Sequence, residues 1–254
     1  MNIELNKNKR IGKVLFIVEG EKTEFNILHK IFTKIFDYQY ESHKRSGKYK
    51  IYNKKDDPFS SIFVINSKQV QMESLNDYEY LEELYVKLQD EYKFPVENAS
   101  IYYIFDRDVE TNPKVEIIEE LIDKLNNSKE SDTFDIQGLL LLSYPSIEAF
   151  ITSNFIENTF EEEFDLGKNL KRYCHDNHCS HQKINEDTLK LSIKEMHGAL
   201  DIMEISSYDL DDFAKTNKQI FNFQESNYKK NKKYRLLSLL CIALIDLGLI
   251  EIEE

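Results

Sequence analysis

Tryptophan is absent from this chain of 254 residues, and glycine (7), proline (4) and cysteine (3) are scarce. So little Gly and Pro excludes collagen-like and Gly/Pro-rich low-complexity architectures. Three cysteines, an odd number, argue against a disulfide framework and suit a reducing compartment. Long apolar runs are also lacking: the most apolar stretch, Leu236 to Ile250, is broken by Asp246 and is short for a membrane span. The polar N-terminus, MNIELNKNKRIGK, has no signal-peptide core. These absences lead us to expect a cytoplasmic protein with no membrane partner. Basic charge is in deficit as well, with 33 Lys and Arg against 46 Asp and Glu and a net charge of −13. Such a chain repels a phosphate backbone on average, so any nucleic-acid binding requires local basic patches or metal ions.

What is present supports a folded α/β protein. Hydrophobic residues make up 41% and charged residues 31%, both spread along the chain, which is enough for a buried core. Val14–Val18, Ile62–Ile65, Ile101–Phe105 and Leu139–Leu142 are continuously apolar, the pattern of strands covered on both faces. Between them, Phe25, Leu28, Ile31, Phe32, Ile35 and Phe36 recur at helical spacing. So do Leu81, Leu84, Leu88 and Tyr92, and then Val115, Ile118, Leu121, Ile122 and Leu125. The alternation predicts a mostly parallel sheet sandwiched by helices over residues 1–155. Residues 156–254 read as a mainly helical region packed on that domain, with Ile147–Phe155 a helix just before the boundary. In this reading Leu236–Leu247 is a buried helix, and no strand follows Leu142 before Ile250–Ile252.

Ligands of open parallel sheets bind beyond the carboxyl ends of the strands. The first predicted strand ends in Glu19-Gly20 and the third in Asp106-Arg107-Asp108, so three carboxylates follow two strands of one sheet. Gly20 lets the chain turn beside Glu19, and Thr23 is placed to cap the next helix. Asp106 and Asp108, two apart, share a side of extended chain. Clustered carboxylates are costly unless a cation sits among them, and Mg²⁺ or Mn²⁺ takes such oxygens. Glu24 and Glu148 are candidates for a second metal site, or else a first-turn dipole partner and a helix-surface carboxylate. Arg107 reads as exposed, meeting either a phosphate or a neighbouring carboxylate.

The segments VLFIVEGEKTE, IYYIFDRD and LLLLSYPSIEAFI resemble the Toprim domain of the RloB-like family, with relatives in the OLD nucleases, topoisomerases and primases. Strand–Glu-Gly and strand–Asp-x-Asp are the Toprim hallmarks. The Thr-Glu after the glycine and the S-x-P-x-x-E segment resemble RloB-like and OLD-like proteins more narrowly. The resemblance covers about residues 1–155 and implies Mg²⁺-dependent phosphodiester cleavage of RNA (tRNA included) or DNA, often in anti-phage defence. It implies Glu19 as a general acid/base or ligand and Asp106 and Asp108 as ligands. It also brings in a separate ATPase subunit as a partner, as for the Toprim effector of the PARIS defence system.

Two basic clusters punctuate the chain. His43–Lys55 carries Lys44, Arg45, Lys48 and Lys50 among its six Lys/Arg, interleaved with Tyr49 and Tyr52. It reads as a loop or hairpin that is either a backbone-tracking, base-stacking surface or a solvated loop. Lys229–Arg235 reads as the lead-in to the apolar helix, where its charge opposes the helix dipole. Cys174, His175, His178, Cys179 and His181 lie within eight residues, but structural zinc joins two separated ligand pairs and no second pair exists, so zinc is not expected at Cys174/Cys179/His178/His181. Lys183, just beyond, is a candidate to reach the metal site. The sequence has no P-loop, G-x-G-x-x-G or G-x-S-x-G. A metal-dependent nuclease and a non-catalytic module that binds metal and an ATPase or nucleotide partner both fit these features. The apolar C-terminal half equally suits a single core or a homodimer.

Overall fold

The computed structural model describes residues 1–20, 22–41, 49–66, 72–75, 78–129 and 137–253. Twelve strands are present among them: β1 (Asn2–Leu5), β2 (Lys13–Val18), β3 (Tyr38–Glu41), β4 (Tyr49–Lys54), β5 (Asp57–Asn66), β6 (Ala99–Asp106), β7 (Asn126–Asn127), β8 (Gly138–Tyr144), β9 (Glu163–Phe164), β10 (Tyr234–Arg235), β11 (Leu237–Ser238) and β12 (Ile250–Glu253). The α-helices are α1 (Thr23–Lys30), α2 (Met72–Leu75), α3 (Tyr78–Tyr92), α4 (Val115–Lys124), α5 (Glu148–Ser153), α6 (Gly167–Asp176), α7 (Glu186–Ile202), α8 (Ala214–Asn231) and α9 (Leu240–Asp246).

The architecture is α/β, with a mixed, mostly parallel central sheet flanked by helices and a helical C-terminal part. The strand order is β11-β8-β6-β2-β5-β4-β3, with β7 also on β8. Its four central strands are parallel: β2 pairs with β5 and β6, and β6 with β8. Val14 to Val18 are fully buried, as the continuous apolar run requires of a strand covered on both faces. Burying five such side chains contributes on the order of 10 kcal/mol before chain entropy is counted. All six stripe residues of the first helix are buried, and the helix widens into a π turn at Ile31–Ile35. Ile118, Leu121, Ile122 and Leu125 are likewise inside.

The chain order sets the position of the site. From β2 the chain passes through α1 to the edge strand β3 and returns by β4 to β5 on one side, and later reaches β6 on the other side of β2. The loops leaving β2 and β6 therefore diverge, and the crevice at such a reversal is where open α/β sheets receive ligands.

Several local expectations change. Leu236–Leu247 is not one helix: Leu237–Ser238 adds to the central sheet antiparallel to β8, and only Leu240–Asp246 is helical. Strands β9 and β10 also precede Ile250, each too short to show a period. The apolar run tolerates Asp246 because its carboxylate accepts hydrogen bonds from the Tyr102 and Ser128 hydroxyls. Lys229 and Lys230 lie in the last turn of α8, where positive charge favours the dipole rather than opposing it. β12 pairs antiparallel with β1, joining the two ends of the chain. Among the described residues no helix is long and apolar enough to cross a membrane.

Candidate functional site

Glu19 follows β2 directly and Asp106 ends β6, on adjacent parallel strands. Their contact runs through the backbone: the Asp106 N–H donates to Glu19 Oε2 at 2.9 Å. Asp106 Oδ1 accepts the N–H of Ile147, at the start of the segment leading into α5, at 2.8 Å. Its other oxygen accepts no hydrogen bond among the described residues. Asn112 donates to the Asp106 carbonyl at 2.9 Å and faces both Glu19 oxygens at 3.4 and 3.5 Å. The loop after β6 thus folds back over the first carboxylate.

Glu24 and Glu148 join this pair. Both are buried, at 6% and 7% exposure, so Glu148 is not a helix-surface carboxylate. Ser146 donates to Glu148 Oε2 at 2.9 Å, and Lys171 approaches its Oε1 at 3.4 Å. Glu24 Oε1 accepts the Gly20 N–H at 2.9 Å, so the side chain reaches back from α1 to the loop that follows β2. Thr23 is the first residue of that helix and makes no cap. Gly20 has no left-handed φ, and its lack of a side chain leaves room for the Glu24 carboxylate, which a Cβ there would displace.

The four carboxylates feel one another in a medium of low polarity. Burial raises Glu19 to about 7 from its ordinary 4.5, with repulsion from Glu24 adding to it. Burial and then the charges of Glu19, Glu24 and Glu148 hold Asp106 well above the usual carboxylate range. Glu24 is raised as well, by burial first and Glu148 next among the raising causes. Folded Glu19 therefore keeps its proton to about pH 7, whereas the unfolded chain gives it up near 4.5. The folded state binds more protons in that interval, so its stability is greatest below 4.5 and falls as pH rises through 7. In chelator, the melting temperature is expected to drop between pH 5 and pH 8. A flat or rising profile over that range would show that burial does not hold Glu19 in this way.

Asp108 is placed differently. Its Oδ1 accepts the Glu110 N–H at 2.9 Å and its Oδ2 the Gly167 N–H at 2.8 Å, so it ties the loop after β6 to the start of α6. Arg107 lies between the two aspartates and points the other way, as alternation along extended chain dictates. The sequence reading places it at the surface; the structure buries it to 1% exposure. Its Nε donates to Glu225 Oε1 at 2.7 Å and its Nη1 to the Asn112 carbonyl at 2.9 Å. The Tyr234 hydroxyl donates to the same Glu225 oxygen, and the guanidinium stacks over the Tyr234 and Phe221 rings. Arg107 is therefore unavailable to a phosphate, and its ion-pair partner is 118 residues away rather than a neighbour.

Comparison with protein-family models, curated proteins and solved structures finds no match for this chain.

Lys44, Arg45 and Lys48 fall outside the described residues. Lys50 sits on β4, its ammonium 5.3 Å above the Phe25 ring and its pKa lowered by burial. Lys183 turns back to donate to the His178 carbonyl at 3.0 Å. Cys174 is buried on α6, sharing a hydrogen bond with the Thr152 hydroxyl. Asn112, Ser146, Gly167, Lys171 and Glu225 are the site residues that sequence reasoning missed. Ser146 is an unspecified position of the S-x-P-x-x-E segment, and the others carry no local motif and arrive through a turn or a distant helix.

The donors suit a hard divalent cation in kind: carboxylate oxygens only, mutually repelling, with an Asp106 oxygen left over. Among the described residues, however, no three His, Cys, Asp or Glu side chains surround a common point in the positions they occupy.

Proposed function

We propose that this chain is a Toprim-type, Mg²⁺- or Mn²⁺-dependent nuclease that hydrolyses phosphodiester bonds in RNA, tRNA included, or in DNA. The observation that carries the reading is the contact at the reversal of strand order, where Glu19 accepts the Asp106 N–H, burial raises both carboxylates, and the charge of Glu19 raises Asp106 further. Carboxylates forced together at a ligand crevice, at a cost to the metal-free fold, are what a cation-dependent centre requires. Glu19 and Asp106 would hold the ion, with Glu24 and Glu148 beside them. A bound divalent cation supplies polarisation of the phosphoryl oxygen and acidification of water. The chain's own part is to fix Asp106 through the Ile147 N–H and to fix Glu19 through the Asp106 N–H. A role in anti-phage defence, beside a separate ATPase, draws on the family resemblance of residues 1–155 alone.

A second reading has its own observation. Asp108, a ligand by resemblance, has both oxygens engaged by backbone N–H groups. That favours a non-catalytic module that binds metal and an ATPase or nucleotide partner. The test is incubation of total tRNA, single-stranded RNA, plasmid and linear DNA with wild type and Glu19→Ala, in Mg²⁺, Mn²⁺ or EDTA. Cleavage that needs metal and is lost in Glu19→Ala is the expected result. Cleavage that persists in both the variant and EDTA would end the nuclease reading at this site.

A further inference from the structure

The helix α6 carries a feature that the carboxylate site leaves unexplained. Lys168, Lys171, Arg172 and His175 follow one another at i, i+3, i+4 and i+7, which puts them on one stripe of the helix. The opposite side holds Leu170 and Cys174 in the core, so the stripe faces solvent. In a chain of net charge −13 this is a local reversal of sign.

Its position follows from contacts. The first N–H of α6, at Gly167, donates to Asp108, and Lys168 reaches Glu110 at 3.4 Å. One turn further, Lys171 lies 3.4 Å from Glu148 and is close enough to Glu24 to act on its ionisation. The stripe thus runs along the edge of the crevice, from the Asp108 side to the Glu148 side. Lys168 and Lys171 remain 66% and 69% exposed, so their ion pairs are weak, solvent-screened contacts that another anion can replace. Arg172 has no ion-pair partner among the described residues. From Lys168 to His175 the helix rises about 10 Å, long enough to face more than one phosphate of a strand.

We propose that the exposed face of α6, through Lys168, Lys171 and Arg172, seats the sugar–phosphate backbone of a nucleic-acid strand and lays it across the carboxylate crevice. The proposal rests on the nuclease reading for its purpose, yet the binding it asserts is measured without cleavage. The contrasting case is the second basic cluster: Lys229, Lys230 and Lys232 are exposed at the C-terminal end of α8 and, among the described residues, make no ion pair with Glu19, Glu24, Asp106 or Glu148.

The experiment is fluorescence anisotropy of a labelled 20-nucleotide single-stranded RNA, and a DNA of the same sequence, with the full chain in EDTA over a range of salt. The triple variant Lys168→Gln/Lys171→Gln/Arg172→Gln is expected to bind both at least about tenfold more weakly near 0.1 M salt. Its slope of log affinity against log salt should be shallower by about two, for three contacts at roughly 0.7 each. The matched variant Lys229→Gln/Lys230→Gln/Lys232→Gln, with the same change in net charge, should stay within twofold of wild type. Equal weakening in both variants, no change in the α6 variant, or no binding by wild type would each overturn the proposal. Wild-type melting in both variants keeps loss of fold out of the result. The two readings separate because binding is read in EDTA and cleavage in Mg²⁺ or Mn²⁺. If Glu19→Gln still cleaves while the α6 variant binds poorly, the nuclease assignment at Glu19 fails and the α6 seat stands.

Discussion

Glu19→Gln is expected to abolish metal-dependent cleavage while making the metal-free protein more stable. The loss of activity should be about 10³-fold, the scale of removing a positioned acid–base group. The gain in stability follows from the same environment. At pH 8 the folded protein holds Glu19 ionised in a site that favours its neutral form, with about 7 against an ordinary 4.5. An amide keeps an oxygen for the Asp106 N–H and removes that charge. Relief of about 2 kcal/mol corresponds to roughly 4–8 °C for a chain of this size. Calorimetry in EDTA at pH 8 should show the rise, and at pH 5, where wild-type Glu19 is already protonated, the difference should nearly vanish. A variant that melts lower than wild type at both pH values would mean that Glu19 serves the fold and not the chemistry. Added Mg²⁺ should raise the melting point of wild type at pH 8 and do much less for Glu19→Gln.

The second large effect lies at Arg107. Arg107→Met leaves the Glu225 carboxylate buried without its cation, and the Asn112 carbonyl and Tyr234 hydroxyl lose the group around which they are arranged. Breaking one side of such a pair costs about 3–5 kcal/mol. Glu225→Met should cost a similar amount, because it strands a guanidinium at 1% exposure. The double variant should cost far less than the sum, since two apolar chains of similar volume can fill the space. Urea unfolding of the four proteins measures this. Additive losses would show that the two charges act independently. Because Asn112 also faces Glu19, Arg107→Met should lower cleavage even where the protein remains folded.

The sheet was legible because its strands are buried on both faces, and an unbroken apolar run such as Val14–Val18 states that directly. Amphipathic helices over Phe25–Phe36 and Val115–Leu125 were legible for the same reason. The site was half legible. Glu19 and Asp106 could be read because strand ends are where carboxylates gather at such a sheet, and Glu148 because of its motif. Arg107 was misread: exposure is the ordinary state of arginine, and its partner Glu225 lies on a helix whose polar sequence gives no sign of a buried carboxylate. Leu237–Ser238 was misread because two residues of edge strand have no period to detect. Lys168, Lys171 and Arg172 were passed over because a basic helical stripe gains meaning only from what lies beside it.

The bond between Asp108 and Gly167 has a consequence for the order of events during synthesis. It closes a span of 59 residues, the Glu19–Asp106 bond one of 87, and the Arg107–Glu225 bond one of 118. Contacts so far apart form late, after the segments between them have been made. A nascent chain that has just emitted β8 already contains Glu19 and Asp106, yet it lacks the helix that holds Asp108 and the carboxylate that holds Arg107. The loop after β6 is thus pinned only by segments made after β8, and a ribosome-bound fragment that ends there carries Glu19, Glu24 and Asp106 without Glu148 or the contacts that hold Asp108 and Arg107.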